Sequence, residues 1–289
     1  MFGDLLKKID TGNADFTNAW KELQAHVDSA EIMDFMDILG QIGTIPENID
    51  HDSTAEKLFS KASDAILSRA FREIGMKSTV LRERGDSADV LAESCYHDYT
   101  LVADAKAFRM SRTAKNQKDF KVGALSGWRK EHDYAVLCSP YFQYPTANSQ
   151  IYAQAVDYNV GLLSWEHFLF LIENKVKETP GFKLSSLWNY SRVHASSCPC
   201  SEKKQNFIQK INVEVANLSG CEPQTLSAFL QNQAKRLIVR GNVEKAFWNR
   251  EMERIQRYSR EQAIKELIET KRIKEKILQI NSYLRGLGA

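Results

Sequence analysis

Residues 88–121 read ADVLAESCYHDYTLVADAKAFRMSRTAKNQKDFK. Two alternating apolar runs, Asp89–Leu91 and Tyr99–Phe108, flank a polar turn, which is the pattern of a β-hairpin. A turn centred on Tyr96–His97 sets Asp89 opposite Asp104. Facing side chains on antiparallel strands lie roughly 5 Å apart, where like charges repel. Two carboxylates so placed make sense around a cation. Side chains alternate along a strand, so Lys106, two residues past Asp104, points to the same face. Two acids and a lysine then converge beside Arg109–Lys121, a segment with five basic residues and one acid. An acid-x-lysine pattern alone is common at strand ends; the facing acid and the basic segment make it point to metal-dependent cutting of DNA.

Upstream, Ser53-Thr-Ala-Glu56 is a capping-box pattern, which predicts a helix from Ser53 to about Ile74 with Gly75 as its stop. Leu58, Phe59, Ala62, Ile66, Ala70 and Ile74 give it a buried face. Residues 15–40 predict one or two amphipathic helices, with Phe16, Trp20, Leu23 and Val27 at helical spacing. Downstream, Ser111 or Thr113 opens a predicted helix through about Lys130, with Phe120, Ala124, Leu125 and Trp128 facing the core. His132–Ser139 reads as a third strand, Ser149–Tyr158 as a helix, Val160–Ser164 as a buried strand and Trp165–Asn174 as a helix. Residues 176–201 are expected to be loop-rich. From Glu202 onward the chain reads as helical, with Ser259-Arg-Glu-Gln262 as a second capping box. Ile264, Leu267, Ile268, Ile273, Ile277, Ile280 and Leu284 form an apolar stripe suited to a core or a subunit contact. The expected fold class is α/β, a mixed β-sheet flanked by helices with helical N- and C-terminal extensions. Residues 1–50, 51–175 and 176–289 form a helical segment, the core and a mostly helical region of one continuous globular unit.

The chain of 289 residues is 43% hydrophobic and 26% charged, ordinary for a globular protein able to bury a large core. Five scattered cysteines make no disulfide framework and fit a reducing cytosol. The N-terminus lacks the apolar stretch of a signal peptide, and Val160–Ile172 is too short to span a bilayer. A cytoplasmic location is expected. The net charge of +2 hides an asymmetry: residues 1–60 carry four Lys and twelve acids, residues 235–289 fourteen basic residues and seven acids. DNA would repel the first region and attract the second. The N-terminal helices are therefore expected away from DNA, against the basic C-terminal helices.

Other motifs carry less. His194, Cys198 and Cys200 lack the paired C-x-x-C spacing of a structural zinc site and read as a surface loop. Phosphate-binding glycine loops and a G-x-S-x-G elbow are missing.

The stretches STAEKLFSKASDAILSRAF (53–71), LVADAKAFRMSRTAKNQKDFKVGALSGWRKEHDYAVL (101–137) and FQYPTANSQIY (142–152) closely resemble the HindIII family of type II restriction endonucleases, over roughly residues 40–170. The resemblance implies a PD-(D/E)xK nuclease core, a Mg²⁺ cofactor that Mn²⁺ can replace, and a homodimer on double-stranded DNA. It implies recognition of AAGCTT with cleavage after the first A, and a companion DNA methyltransferase in a prokaryotic host. Asp89 and Asp104-Ala105-Lys106 match the class motif, with Ala88 where the class has proline. The implied metal ligands are Asp89, Asp104 and the Ala105 carbonyl, with Lys106 completing the catalytic set. Glu56 is a helper acid in one reading and a capping-box residue in the other. Asp119 is left as a DNA-side or second-layer residue. Arg109, Arg112, Lys115, Asn116, Gln117, Lys118 and Lys121 are the DNA-binding candidates, since Asn or Gln suits adenine and Arg or Lys suits guanine. A structure-specific nuclease of the same class and a non-cleaving DNA-binding protein are the competing readings.

Overall fold

The computed structural model describes residues 2–11, 15–81, 87–112, 117–145, 149–197 and 207–286. Three helices open the chain: α1 (Phe2–Thr11), α2 (Phe16–Ser29) and α3 (Ile32–Leu39). They bury Leu5, Leu23, Val27, Phe35 and Ile38 against the central helix α4 (Thr54–Glu73). Ser53 caps α4, its Oγ accepting from the Glu56 N–H at 3.1 Å. All six apolar residues expected on its buried face are fully buried. Helix α4 ends at Gly75, where φ is +91° and a Cβ would lie 2.8 Å from the Glu178 carbonyl oxygen. Only glycine fits that turn. Buried Arg69 ties α4 to the N-terminal helices by reaching the Val27 carbonyl and lying 4.4 Å over the Phe35 ring.

The sheet has five strands among the described residues, in the order β1 (Met76–Val80), β2 (Val90–Ser94), β3 (Thr100–Ala105), β4 (Tyr134–Ser139) and β5 (Val160–Ser164). The first three run antiparallel; β3, β4 and β5 run parallel. The β2–β3 hairpin has the expected register, with Val90 facing Ala103 and Leu91 facing Val102. Its turn is fixed by Ser94, whose Oγ accepts from the N–H groups of Tyr96 and His97. Strand β1 was not expected. Its sequence, MKSTV, buries only Met76, so it lacks the apolar alternation that marks a half-buried strand. It is an edge strand, and Lys77 on it suits that place.

Helices α5 (Gln117–Phe120) and α6 (Val122–Trp128) follow β3. One continuous helix was expected here. Lys121 interrupts it in the left-handed region, at φ +51°. The break shifts the phase of the buried face, so Val122 and Leu125 are buried in α6 while Ala124 is exposed. Helix α7 (Gln150–Tyr158) starts at the Ser149 cap, and α8 (Trp165–Glu173) starts at a Ser164–His167 capping box. The region expected to be loop-rich contains α9 (Ser185–Trp188) and α10 (Tyr190–Ser197). They are too short to show a period, yet Leu187, Trp188 and His194 are buried. His194 stacks on Tyr190 inside the fold and is not part of a surface loop; Cys198 and Cys200 lie outside the described residues.

The remainder is helical: α11 (Phe207–Leu218), α12 (Pro223–Gln256), α13 (Arg260–Thr270) and α14 (Ile273–Gly286). The Ser259–Gln262 capping box forms at the start of α13. Two compact units result, Met1–Val239 and Arg240–Ala289. In the second unit Ile264, Leu267, Ile273, Ile277 and Ile280 are exposed, so their stripe is not a core within that unit. No helix among the described residues is long and apolar enough to cross a membrane.

Candidate active site

The C-terminal end of β3 opens into a cleft of about 1050 Å³. Asp104 is the penultimate residue of β3 and is 3% exposed. Asp89 stands just before β2. Its N–H donates at 3.0 Å to the carbonyl of Ala103, the residue that Val90 faces, so Asp89 lies one step beyond the last ladder pair and not in a regular pair with Asp104. The Asp89 carboxylate accepts from the Ala105 N–H at 3.3 Å. Lys106 extends from the same face as Asp104, and its ammonium pairs with Asp104 Oδ2. The backbone of Lys106 is held on both sides. Its N–H donates to the Cys138 carbonyl at 2.8 Å, and its carbonyl accepts from the Trp165 indole N–H at 2.8 Å. The sheet and α8 therefore fix the lysine before any ligand arrives.

A third carboxylate faces the same cleft. Asp64, on α4, is buried and pairs with Lys61 at 2.8 Å. With Lys57 and Ser60 these residues form the α4 wall of the cleft. Sequence reasoning missed Asp64 because it lies among buried positions of an apolar helix. The readable signal was spacing: 57, 61 and 64 fall on one helical stripe. Glu56 is eight residues from Asp64, roughly 12 Å along the axis at about 1.5 Å per residue. Its carboxylate accepts from Arg109 at 2.7 Å and from the Asp52 N–H at 2.8 Å. Those contacts hold Glu56 at the start of α4, although its carboxylate accepts from the Asp52 N–H and not from the Ser53 N–H that a full capping box would use. His51, Asp52 and Glu56 also come together at the exposed start of α4, where their contacts serve the helix cap.

The electrostatics of the cleft follow from burial. Loss of water, and then the charge of Asp89, push Asp104 up to about 7 against the pull of Lys106. Burial and the negative charge of Asp89 likewise hold the Asp64 carboxyl well above the usual carboxylate range, although Lys61 opposes them. Burial lowers the Lys61 ammonium, but Asp64 and then Asp89 more than offset it and hold it above its ordinary value. Three carboxylates line the cleft, each drawing on a lysine or a backbone N–H; their oxygens do not gather tightly enough for all three to share one ion, but each is a hard oxygen donor. Mg²⁺ and Ca²⁺ prefer such donors. Asp104 Oδ2 is buried with no hydrogen-bond donor beyond the Lys106 contact, which fits a ligand atom awaiting a cation.

The basic segment is less open than its charge suggests. Arg109 donates to the Pro46 carbonyl at 3.0 Å and to Glu56, and is half-buried. Arg112 pairs with Asp119 and lies over the Phe108 ring. Buried Glu47 accepts from both the N–H and the hydroxyl of Ser111, at 2.9 and 2.8 Å. Lys118 is exposed on α5, and Lys121 lines the cleft near Trp128. Lys115, Asn116 and the side chain of Gln117 lie outside the described residues. The N-terminal helices are not wholly apart from the cleft, as charge alone had suggested: Phe16 and Thr17 of α2 line it. Both are uncharged, so the acidic remainder of the helix can stay clear of a phosphate backbone.

Comparison with known proteins agrees with this geometry. The family model described as HindIII restriction endonuclease matches residues 5–284. The type II restriction enzyme HindIII of Haemophilus influenzae is 40% identical over 275 residues, covering 95% of this chain and 92% of that protein. The likeness is thus broader than the 40–170 span recognisable from motifs, and it includes the C-terminal helices. A hairpin that brings two aspartates and a lysine to one cleft, on a chain matched almost from end to end, makes the protein a member of the HindIII restriction endonuclease family, a type II restriction enzyme and hence a nuclease.

Proposed function

We propose that the protein cuts double-stranded AAGCTT after the first A, leaving 5′ AGCT overhangs with 5′-phosphates. Mg²⁺ is the cofactor and Mn²⁺ can replace it. The observation that carries this reading is that Asp64, Asp89, Asp104 and Lys106 line one cleft together with Lys57, Lys61 and Lys121. Sequence recognition rests on the 40% identity to HindIII.

Asp89, Asp104 and the Ala105 carbonyl would hold the metal, and Asp64 is a further carboxylate within the same cleft. A bound divalent ion supplies Lewis acidity, a lower pKa for water and a template for in-line attack. Lys106 is the residue that meets the phosphate: its ammonium stabilises the charge that develops on the phosphoryl oxygens and orients the attacking water. Because its backbone is pinned by Cys138 and Trp165, little reorganisation is needed when DNA arrives. Lys57, Lys61 and Lys121 face the strand entering the cleft and match phosphate charge without reading bases. Base readout belongs to the 109–121 segment. A palindrome is read one half-site per subunit by a homodimer, each copy cutting one strand. The protein works in the cytoplasm of a prokaryote, alongside a methyltransferase that protects the same site.

A plasmid carrying a single AAGCTT, incubated with the protein and Mg²⁺, tests this. The expected product is one linear species whose ends ligate to AGCT overhangs. Random nicks or a smear would favour a structure-specific nuclease, and a mobility shift without cleavage would favour a binding protein.

A further inference from the structure

Strands β3 and β4 run parallel, with Asp104 across from Leu137 and Ala105 across from Cys138. One step further along that register, Lys106 stands across from Ser139. In a parallel ladder a residue donates its N–H to the residue before its partner, and its carbonyl accepts from the residue after it. The first of these bonds is made: the Lys106 N–H donates to the Cys138 carbonyl at 2.8 Å. The second would come from position 140, which is proline and has no N–H. The ladder therefore stops at Lys106 with its carbonyl left without a backbone donor from β4. The Trp165 indole N–H takes that place, donating to the Lys106 carbonyl at 2.8 Å.

The indole is built into this position from three sides. Trp165 is buried and opens α8, whose first turn is fixed by the Ser164–His167 capping box. Glu166, the next residue, accepts from the Tyr141 N–H at 2.9 Å and so ties the start of the helix to the chain just past Pro140. Gly43 closes the remaining side. Its carbonyl accepts at 3.0 Å from the N–H of Phe108, two residues beyond Lys106. A Cβ on Gly43 would lie 2.8 Å from Trp165 Cδ1, the carbon bonded to the donor nitrogen, and 3.0 Å from Pro140. Any larger residue there would push the indole away from the Lys106 carbonyl or displace Pro140.

We propose that Trp165 is a positioning residue for DNA cleavage: its indole N–H replaces the backbone donor that Pro140 lacks and holds the Lys106 main chain where the ammonium reaches Asp104 and the cleft. Gly43 is the seat that lets the indole approach. The inference rests on the reading above that Lys106 meets the phosphate. A strand end is free to move where its ladder bonds stop, and a lysine on the last bond would carry that motion in its ammonium. Misplacement of an acting group by about 1 Å can cost on the order of a hundredfold in rate. A side chain present only to fill the core would need no N–H aimed at this carbonyl; buried tryptophans spend that donor on a partner.

Single-turnover cleavage of an AAGCTT duplex in Mg²⁺ by the full chain tests it, with affinity for the same duplex in Ca²⁺ read by fluorescence anisotropy. Trp165→Phe keeps an aromatic ring and loses the N–H; it should cleave about thirtyfold more slowly, with duplex affinity within about threefold of the wild type. Placing β-(3-benzothienyl)alanine at position 165 exchanges the N–H for sulfur at nearly constant shape. It should lose as much, and it decides the matter if the smaller ring does not fold. Pro140→Ala returns the missing ladder donor, and combined with Trp165→Phe it should bring cleavage back to within about fivefold of the wild type. Gly43→Ala should slow the wild type about tenfold but Trp165→Phe less than about twofold further, because both act through one hydrogen bond. Lys106→Ala, run alongside, keeps two failures apart. If it is slow while both changes at position 165 leave the wild-type rate, the proposal falls and the reading of Lys106 stands. If it cleaves at the wild-type rate, both fall. Position-165 variants that stay equally slow with Pro140→Ala reveal a packing role alone, which also overturns the proposal.

Discussion

The hairpin at 88–108 and the basic segment at 109–121 are adjacent in the chain and both rich in polar side chains, yet only one could be placed from its sequence. In the hairpin, strand alternation and a turn of known centre locate Asp89, Asp104 and Lys106 relative to one another. A sheet has one side-chain period and little freedom, so a register error would turn every buried residue outward. In the segment, positive charge was the only signal, and charge does not say what it faces. Arg109 and Arg112 meet Glu56 and Asp119 of their own chain, and Lys121 breaks the helix expected to carry them. A charged run next to a site is a pool from which the fold first draws its own ion pairs.

The sharpest way to test that contrast is to disable the hairpin. Asp104→Asn and Lys106→Ala should each lower cleavage by at least about 10³-fold, at the upper end of what positioned charge and proton transfer contribute. Binding to AAGCTT in Ca²⁺, measured by fluorescence anisotropy, should change less than tenfold. Cleavage near the wild-type rate by either variant would remove the site from this hairpin.

Next in size is the comparison on α4. Asp64→Asn should slow single-turnover cleavage about a hundredfold, since its carboxylate lies in the cleft with Asp89 and Asp104. Glu56→Gln should slow it less than tenfold and act on stability, because Glu56 anchors Arg109. The reverse order would restore Glu56 as the acid that matters. Distinguishing the two from sequence was hard for a physical reason. A capping-box glutamate announces itself by position, whereas Asp64 sits where apolar periodicity predicts core. The same limit hid β1, whose edge position needs no apolar pattern, and α9 and α10, which are too short to show one. Helix α4 was legible because its cap, its glycine stop and its helically spaced apolar residues agree, and β5 and α8 because both are apolar runs buried on nearly every side.

A smaller effect separates the roles within the basic segment. Arg109→Ala leaves Glu56 without its partner and should cost about 2–4 kcal/mol in urea unfolding, as removing one member of a mostly buried ion pair does. Lys121→Ala should cost under about 1 kcal/mol, because its side chain is exposed. It should instead reduce the slope of log affinity against log salt by about one phosphate contact. If Arg109→Ala left stability untouched and flattened the salt slope, Arg109 would belong to DNA.

Binding of Ca²⁺ to the protein on an uncleaved AAGCTT duplex, followed by calorimetry from pH 6 to pH 8, tests the central claim most directly. Asp104 is buried and holds its proton up to about 7, and it must lose that proton to act as a ligand. The account predicts that Ca²⁺ affinity rises as pH passes through about 7, with protons released on binding. Asp104→Asn should weaken binding at least about a hundredfold and flatten the pH dependence, leaving what Asp64 contributes. Equal affinity in the variant, or an affinity indifferent to pH in the wild type, would contradict it.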